Sequence, residues 1–367
     1  MAKAVGRDLI SSLQKRFLST STGPSSSFTV DFLVRTCGLS SDSALSISKK
    51  LQIDRDKQNQ SRRVVRFLKS HGFSDTHIAK MVGKHPLILY CGVESNLKPK
   101  VEFLIQSGFG GKDLHELVLA NPKIFWRSLN SHIKPSVDFL KLYLDSNEKI
   151  LSSMRRASWL LSADFRSSLQ KNVDFLIKEG LSVQKVTNLM VSQPRTVMRK
   201  HEKFVDAVND VEKLGIEPRQ PAFVNALRVI LQMSRPTWKM KMEVMKSLGW
   251  SEEDSLMAFK RDPLWIALSA EKIRRGMDFY LNTLELESES IIAYPKFLMY
   301  SIDTRLVPRY NVLKVLKSKK LISPDRDIKW LITMNEKTFL QKFVIKFQKE
   351  IPGIMDMYCG SAADGTG

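Results

Sequence analysis

The chain has 367 residues, 43% of them hydrophobic, which is enough to bury a large core or a series of stacked units. Its 58 Lys and Arg outnumber 38 Asp and Glu, a formal net charge of +20 that attracts polyanions, nucleic acid ahead of anionic membrane. Three scattered cysteines (Cys37, Cys91, Cys359) argue against a disulfide framework and a zinc site, and no apolar run of about 18 residues is present to insert into a membrane.

Residues 1–27 read as an address. Lys3, Arg7, Lys15 and Arg16 stand against a single acid, Asp8, and a Ser- and Thr-rich stretch follows. Wound as a helix, Val5, Leu9, Ile10, Leu13 and Phe17 fall on one side. This is the pattern of a disordered organellar transit peptide, and residues 16–20 look like a mitochondrial processing site. The expected compartment is the mitochondrion, with the chloroplast as the alternative.

From residue 28 the chain repeats. Val65, Val101, Val137 and Val173 each open a Val-x-Phe-Leu segment, spaced by 36 residues. A glycine follows in the same register at Gly72, Gly108 and Gly180, with Leu144 in the third place. Pro86, Pro122 and Pro194 obey the same period, with Ser158 standing for the missing proline. The series continues more loosely through Gly215, Gly249 and Leu284, and through Pro263 and Pro295. One unit, around 228–233, has no proline. Such self-similarity marks a helical-repeat architecture.

Each unit reads as two helices and a turn. Gly108 ends one helix, since a residue without Cβ takes the left-handed C-terminal conformation. Leu114, Leu117 and Val118 then form a helical stripe. Asn121-Pro122 stops it, because the residue before proline is pushed out of helical geometry. Lys134-Pro135 opens the second helix, which buries Val137, Phe139 and Leu140. Ser74-Asp75 and the 251–254 stretch carry N-cap signatures. No alternating strand pattern appears, so the fold is expected to be all-α. Helices this short bury their stripes only by stacking unit on unit, which builds a curved solenoid. We expect about eight units over residues 28–350, an incomplete first one, a cap after about residue 305, and a disordered tail at 351–367.

The Pro-x-apolar turns after His85, Asn121 and Gln193, and the Phe-Leu-x-x-x-Gly joints beginning at Phe67, Phe103 and Phe175, resemble the mitochondrial transcription termination factor (mTERF) family. The 246–253 and 31–39 stretches and Tyr294-Pro295 are similar to its plant branch. The third unit departs from the pattern at Ser158. The resemblance implies a right-handed superhelix of helical pairs with short 3-10 turns, binding DNA or RNA along a basic groove. It also implies a role in organellar transcription, its termination or RNA processing such as splicing, with transcription or splicing factors as further partners.

Basic residues cluster after the turns and at the starts of second helices. The candidate nucleic-acid contacts are Lys98, Lys100, Lys123, Arg127, Lys134, Arg166, Arg195, Arg199, Lys200 and Lys203, then Arg228, Lys239, Arg261, Lys272, Arg274, Arg275, Lys296, Arg305 and Arg309. Lysine and arginine at repeated positions neutralise phosphates and release counterions. Aromatics near the same turns (Tyr90, Phe125, Trp126, Trp159, Trp265, Tyr294, Tyr300) are candidates for base stacking, although at helical spacing such residues more often fill a core. The six histidines make no HExxH pair, and Gly110-Gly111-Lys112 lacks the leading glycine of a phosphate loop. No enzyme, cofactor or metal is expected, and the protein is read as a monomer. The competing reading is a protein-binding scaffold, which calls for an apolar or mixed-charge groove.

Overall fold

The computed structural model describes residues 25–161, 168–323 and 327–360. The address assigned to residues 1–27 falls almost wholly outside them, as does Arg166. All regular structure among the described residues is helical. The chain forms two compact bodies, one ending at His201 and the other beginning at Glu202.

In the first body the expected first helices are Asp75–Lys84, Lys112–Ala120, Asn147–Arg156 and Val183–Ser192, each packed on the next. Their apolar stripes are buried, Leu114, Leu117 and Val118 among them. Ser74 caps the first through a capping box with His77, and Asp75 lies in its first turn. Three of the four end at prolines: Pro86–Tyr90 and Pro122–Trp126 are 3-10 turns, and Pro194–Val197 is a single α-turn in the same place, while Asn147–Arg156 ends at Ala157 before Ser158. Second helices Lys98–Gln106 and Lys134–Tyr143 begin with proline at the second position, and the turn before each is widened to a π-turn. Proline has no N–H to donate at this point and its ring would crowd an ordinary α-turn. Val65 and Leu68, Val101 and Leu104, Val137 and Leu140, and Val173 and Leu176 form the core.

The second body repeats the scheme. Glu252–Arg261 starts at Ser251, whose hydroxyl accepts from the Asp254 N–H while Asp254 accepts from the Ser251 N–H. Pro263–Ala267 and Pro295–Met299 are 3-10 turns. The degenerate unit runs as one helix, Phe223–Gln232, and passes to Arg235–Ser247 with no intervening turn.

Left-handed residues mark the period. They fall at Gly38, Gly72, Gly108, Gly180, Gly215 and Gly249, then at Glu285 and Lys320, while Gly111 and Gly353 also take positive φ outside the register. The eighth-unit landmark is therefore Glu285, one residue beyond Leu284, and the series runs on into the segment read as a cap. There Val307–Ser318 is followed by Lys320 and a helix, Ile328–Thr333, like the units before it. Ile354–Gly360, assigned to a disordered tail, is helical: Ile354 is buried and the Tyr358 hydroxyl donates to Glu336.

A second contact ties neighbouring units together. His115 Nε2 meets the His71 carbonyl at 2.9 Å, Asn147 Nδ2 donates to the Gly108 carbonyl at 2.8 Å and the Thr187 hydroxyl to the Tyr143 carbonyl at 2.9 Å. In each case the next unit's first helix satisfies a carbonyl left open where a second helix ends. Gly108 has φ +91°, and a Cβ there would lie 2.8 Å from Asn147 Nδ2. Gly108→Ala therefore strains the backbone and displaces the capping amide, and we expect it to destabilise the first body by about 1–2 kcal/mol. Urea titration of the purified chain measures this.

Candidate nucleic-acid interface

Each proline turn, and the short helix Ile328–Thr333, leaves carbonyls at its end with no partner inside the segment, and burial makes an unmet carbonyl expensive. The chain answers with a long donor from the preceding unit's second helix. Lys100 Nζ donates to the Phe125 carbonyl at 2.6 Å and to Asn96 Oδ1 at 2.5 Å. Asn172 donates to the Val197 and Arg199 carbonyls at 2.9 and 2.7 Å. Lys241 Nζ donates to the Leu268 carbonyl, and Lys272 Nζ to the Met299 carbonyl at 3.0 Å. Arg309, fully buried, donates to the carbonyls of Ile332 and Met334 and to Glu336. Arg305 donates to the Thr333 and Met334 carbonyls at 3.0 and 2.9 Å. Lys100, Asn172 and Lys241 each precede their unit's left-handed glycine (Gly108, Gly180, Gly249) by the same interval, and Ser136 holds that place before Leu144. Burial lowers the pKa of Lys100 and Lys241 below the ordinary lysine value.

These placements correct part of the sequence expectation. Lys100 and Arg309 lie in the interior, and Lys272 and Arg305 are half-buried, the Lys272 ammonium and one terminal nitrogen of Arg305 bonded to backbone carbonyls. The repetition that suggested a phosphate stripe here arises from repeated open carbonyls.

The remaining candidates divide by body. In the first, Lys98, Lys123, Arg127, Arg195, Arg199 and Lys200 are exposed, and Lys98 pairs with Glu94 at 2.9 Å. Lys134 is half-buried, its ammonium 5.7 Å from the Phe103 ring centroid. In the second, Lys203, Lys239, Arg261, Arg274, Arg275 and Lys296 are exposed, and Arg275 pairs with Asp303 at 2.6 Å. Arg228 is half-buried, its Nε buried without a partner, and burial lowers its pKa. Lys123, Arg195 and Lys296 share one position, the second residue of a proline turn, and that position points outward each time.

The aromatic candidates also divide. Phe125 and Trp265 are core, and the Tyr90 hydroxyl donates to the Gln52 carbonyl. Trp126, Trp159 and Tyr294 are exposed, and Tyr300 carries the Arg305 guanidinium at 4.5 Å. Lys84 and His85 were not among the candidates. Burial, then the ammoniums of Lys123 and Lys84, hold the His85 pKa below its ordinary value. The equal interval from lysine to glycine was visible in the sequence and picks out Lys100 and Lys241, but not Lys272, Arg305 or Arg309.

The sequence pattern of the mTERF family matches residues 15–151 and 144–340. The chain belongs to the mTERF family. Two similar proteins come from Arabidopsis thaliana. "Transcription termination factor MTERF15, mitochondrial" is 22% identical over 316 residues, covering 83% of this chain and 59% of that protein. "Transcription termination factor MTERF8, chloroplastic" is 21% identical over 160 residues, covering 44% of this chain and 32% of that protein. The chain thus spans less than two thirds of either relative. Among the described residues of this mTERF chain, no helix is long and apolar enough to cross a membrane, and no group of three or more His, Cys, Asp or Glu is placed to hold a metal ion. Burial pushes the Cys37 thiol up to about 12 and Cys91 up to about 11, which leaves both unreactive at neutral pH.

Proposed function

We propose that this mTERF chain is an organellar nucleic-acid-binding protein acting in transcription, its termination or RNA processing. The mitochondrion is its compartment and the chloroplast the alternative. The observation that carries this reading is the sorting of its cations. Those facing inward are bonded to backbone carbonyls, while Lys123, Arg127, Arg195, Arg199 and Lys200 in the first body, and Arg261, Arg274 and Lys296 in the second, project into solvent around the turns. Exposed cations at repeated positions match the repeated charges of a phosphate chain. The net charge of +20 and the names of the two relatives support the same conclusion. Binding, and not catalysis, is the activity proposed, through about eight repeated units and with DNA or RNA as the partner.

The test is binding of the full chain to labelled single-stranded and duplex oligonucleotides as salt is raised. Affinity should fall linearly on logarithmic axes, with a slope of about −0.9 per neutralised phosphate for duplex and about −0.7 for a single strand. Failure to bind either polymer, or binding indifferent to salt, removes the proposal.

A further inference from the structure

We infer that the turn edge of the first body is a stacking platform for unpaired bases, so that the preferred ligand is a single-stranded polynucleotide and not a duplex. The inference rests on the nucleic-acid reading above and names the strand form that it takes.

The outward second position of successive turns holds Leu87, Lys123, Trp159 and Arg195 in chain order, so apolar and cationic side chains alternate. Leu87 is 42% exposed and Trp159 43% exposed. Trp126, at the end of the second turn, is 38% exposed. An indole this exposed forgoes much of the burial that ordinarily places tryptophan in a core, and two of them stand on successive turns of one body.

Contacts between neighbouring turns fix these rings. The His85 ring, before the first turn, lies 5.9 Å from the Trp126 ring at an interplanar angle of 54°. The Arg195 guanidinium carbon lies 5.0 Å from the Trp159 centroid, and Arg195 Nε donates to the Arg156 carbonyl at 3.0 Å. That bond anchors the guanidinium at the ring while the side chain stays exposed. Arg195 thus lies over the second indole, and Lys123 stands on the same turn as the first, three residues before it.

Aromatic faces beside cations suit a strand whose bases and phosphates alternate. Bases stack on indoles whatever their identity, because every base has a π-face, and the cations take the phosphates between them. A duplex keeps its base faces stacked inside and offers proteins only groove edges and backbone, so against a duplex the two indoles would be idle.

The experiment compares the full chain with W126A/W159A and W126F/W159F, using an unstructured labelled strand of about 20 nucleotides and a duplex of the same length. Circular dichroism confirms folding, which both substitutions should spare because the rings are outward. The parent should bind the single strand more tightly. W126A/W159A should lose about 25-fold or more for the single strand, taking about 5-fold as the smallest loss per ring. Its affinity for duplex and its salt slope should stay as in the parent, and W126F/W159F should recover most of the loss. Equal or tighter duplex binding by the parent, or unchanged single-strand binding by W126A/W159A, overturns the inference while salt-dependent binding stands. No binding of either polymer by the parent overturns the underlying functional reading and this inference together.

Discussion

Arg309→Met should lower the melting temperature of the second body by about 6–12 °C. Arg309 has no exposed surface, and its guanidinium serves the Ile332 and Met334 carbonyls and the Glu336 carboxylate at once. Methionine fills much of the same space but donates nothing. The Ile332 carbonyl then loses its partner, the Met334 carbonyl keeps only Arg305, and Glu336 loses a charge-assisted bond, which together cost about 3 kcal/mol. For a body of this size each kcal/mol is worth about 2–4 °C. Arg309→Lys, which keeps a charge and three donors, should recover part of the loss. Thermal melts followed by circular dichroism give the answer, and a variant that melts with the parent would show that the carbonyls are satisfied without this side chain.

The same cluster has a pH signature. Burial pushes the Glu336 carboxyl up, but hydrogen bonds from Tyr358 and Arg309 outweigh it and hold the pKa below the ordinary value. A depressed carboxyl contributes stability that is whole above its unfolded pKa of about 4.3 and is lost as pH falls through the lower folded value. The Arg309→Met chain should therefore lose less stability than the parent on acidification through that window.

The largest functional effect is expected from the exposed cations. K123Q/R127Q/R199Q/K200Q removes four charges from the first body without touching its interior, since all four side chains are exposed. If each meets a phosphate, the logarithmic salt slope should become shallower by about 3.6 for a duplex or about 2.8 for a single strand, and affinity near 0.1 M salt should fall about a thousand-fold. The melting temperature should hold, because surface charges away from packed features contribute little to stability. A loss of binding accompanied by unfolding would assign these residues a structural part instead.

Much of the fold was legible because it repeats. Glycine and proline punctuate the chain at positions whose backbone demands them, and Gly72, Gly108 and Gly180 all take positive φ as the register implies. Less legible was the end of the series, where Glu285 and Lys320 hold the left-handed position without glycine to mark it. The helix at Ile354–Gly360 escaped notice because its anchor is tertiary: Tyr358 finds Glu336 only once Arg309 has placed it.

The site was legible in charge and not in direction. Lys100 and Lys123 look alike as basic residues of a repeat, yet one meets the Phe125 carbonyl and the other meets solvent. Both residues fit a phosphate contact in the sequence, which shows the cations but not which carbonyls the proline turns leave open. The turn geometry decides. Lys100 stands on a second helix beside an open turn, and Lys123 stands on the turn itself.

K100M/K241M separates the inward cations from the outward ones. Both lysines are interior and bonded to carbonyls, so their removal should lower the melting temperature but leave the salt slope of the folded protein as in the parent. A slope shallower by about 0.7–0.9 for each lysine removed would place them on phosphate and not on the turn carbonyls.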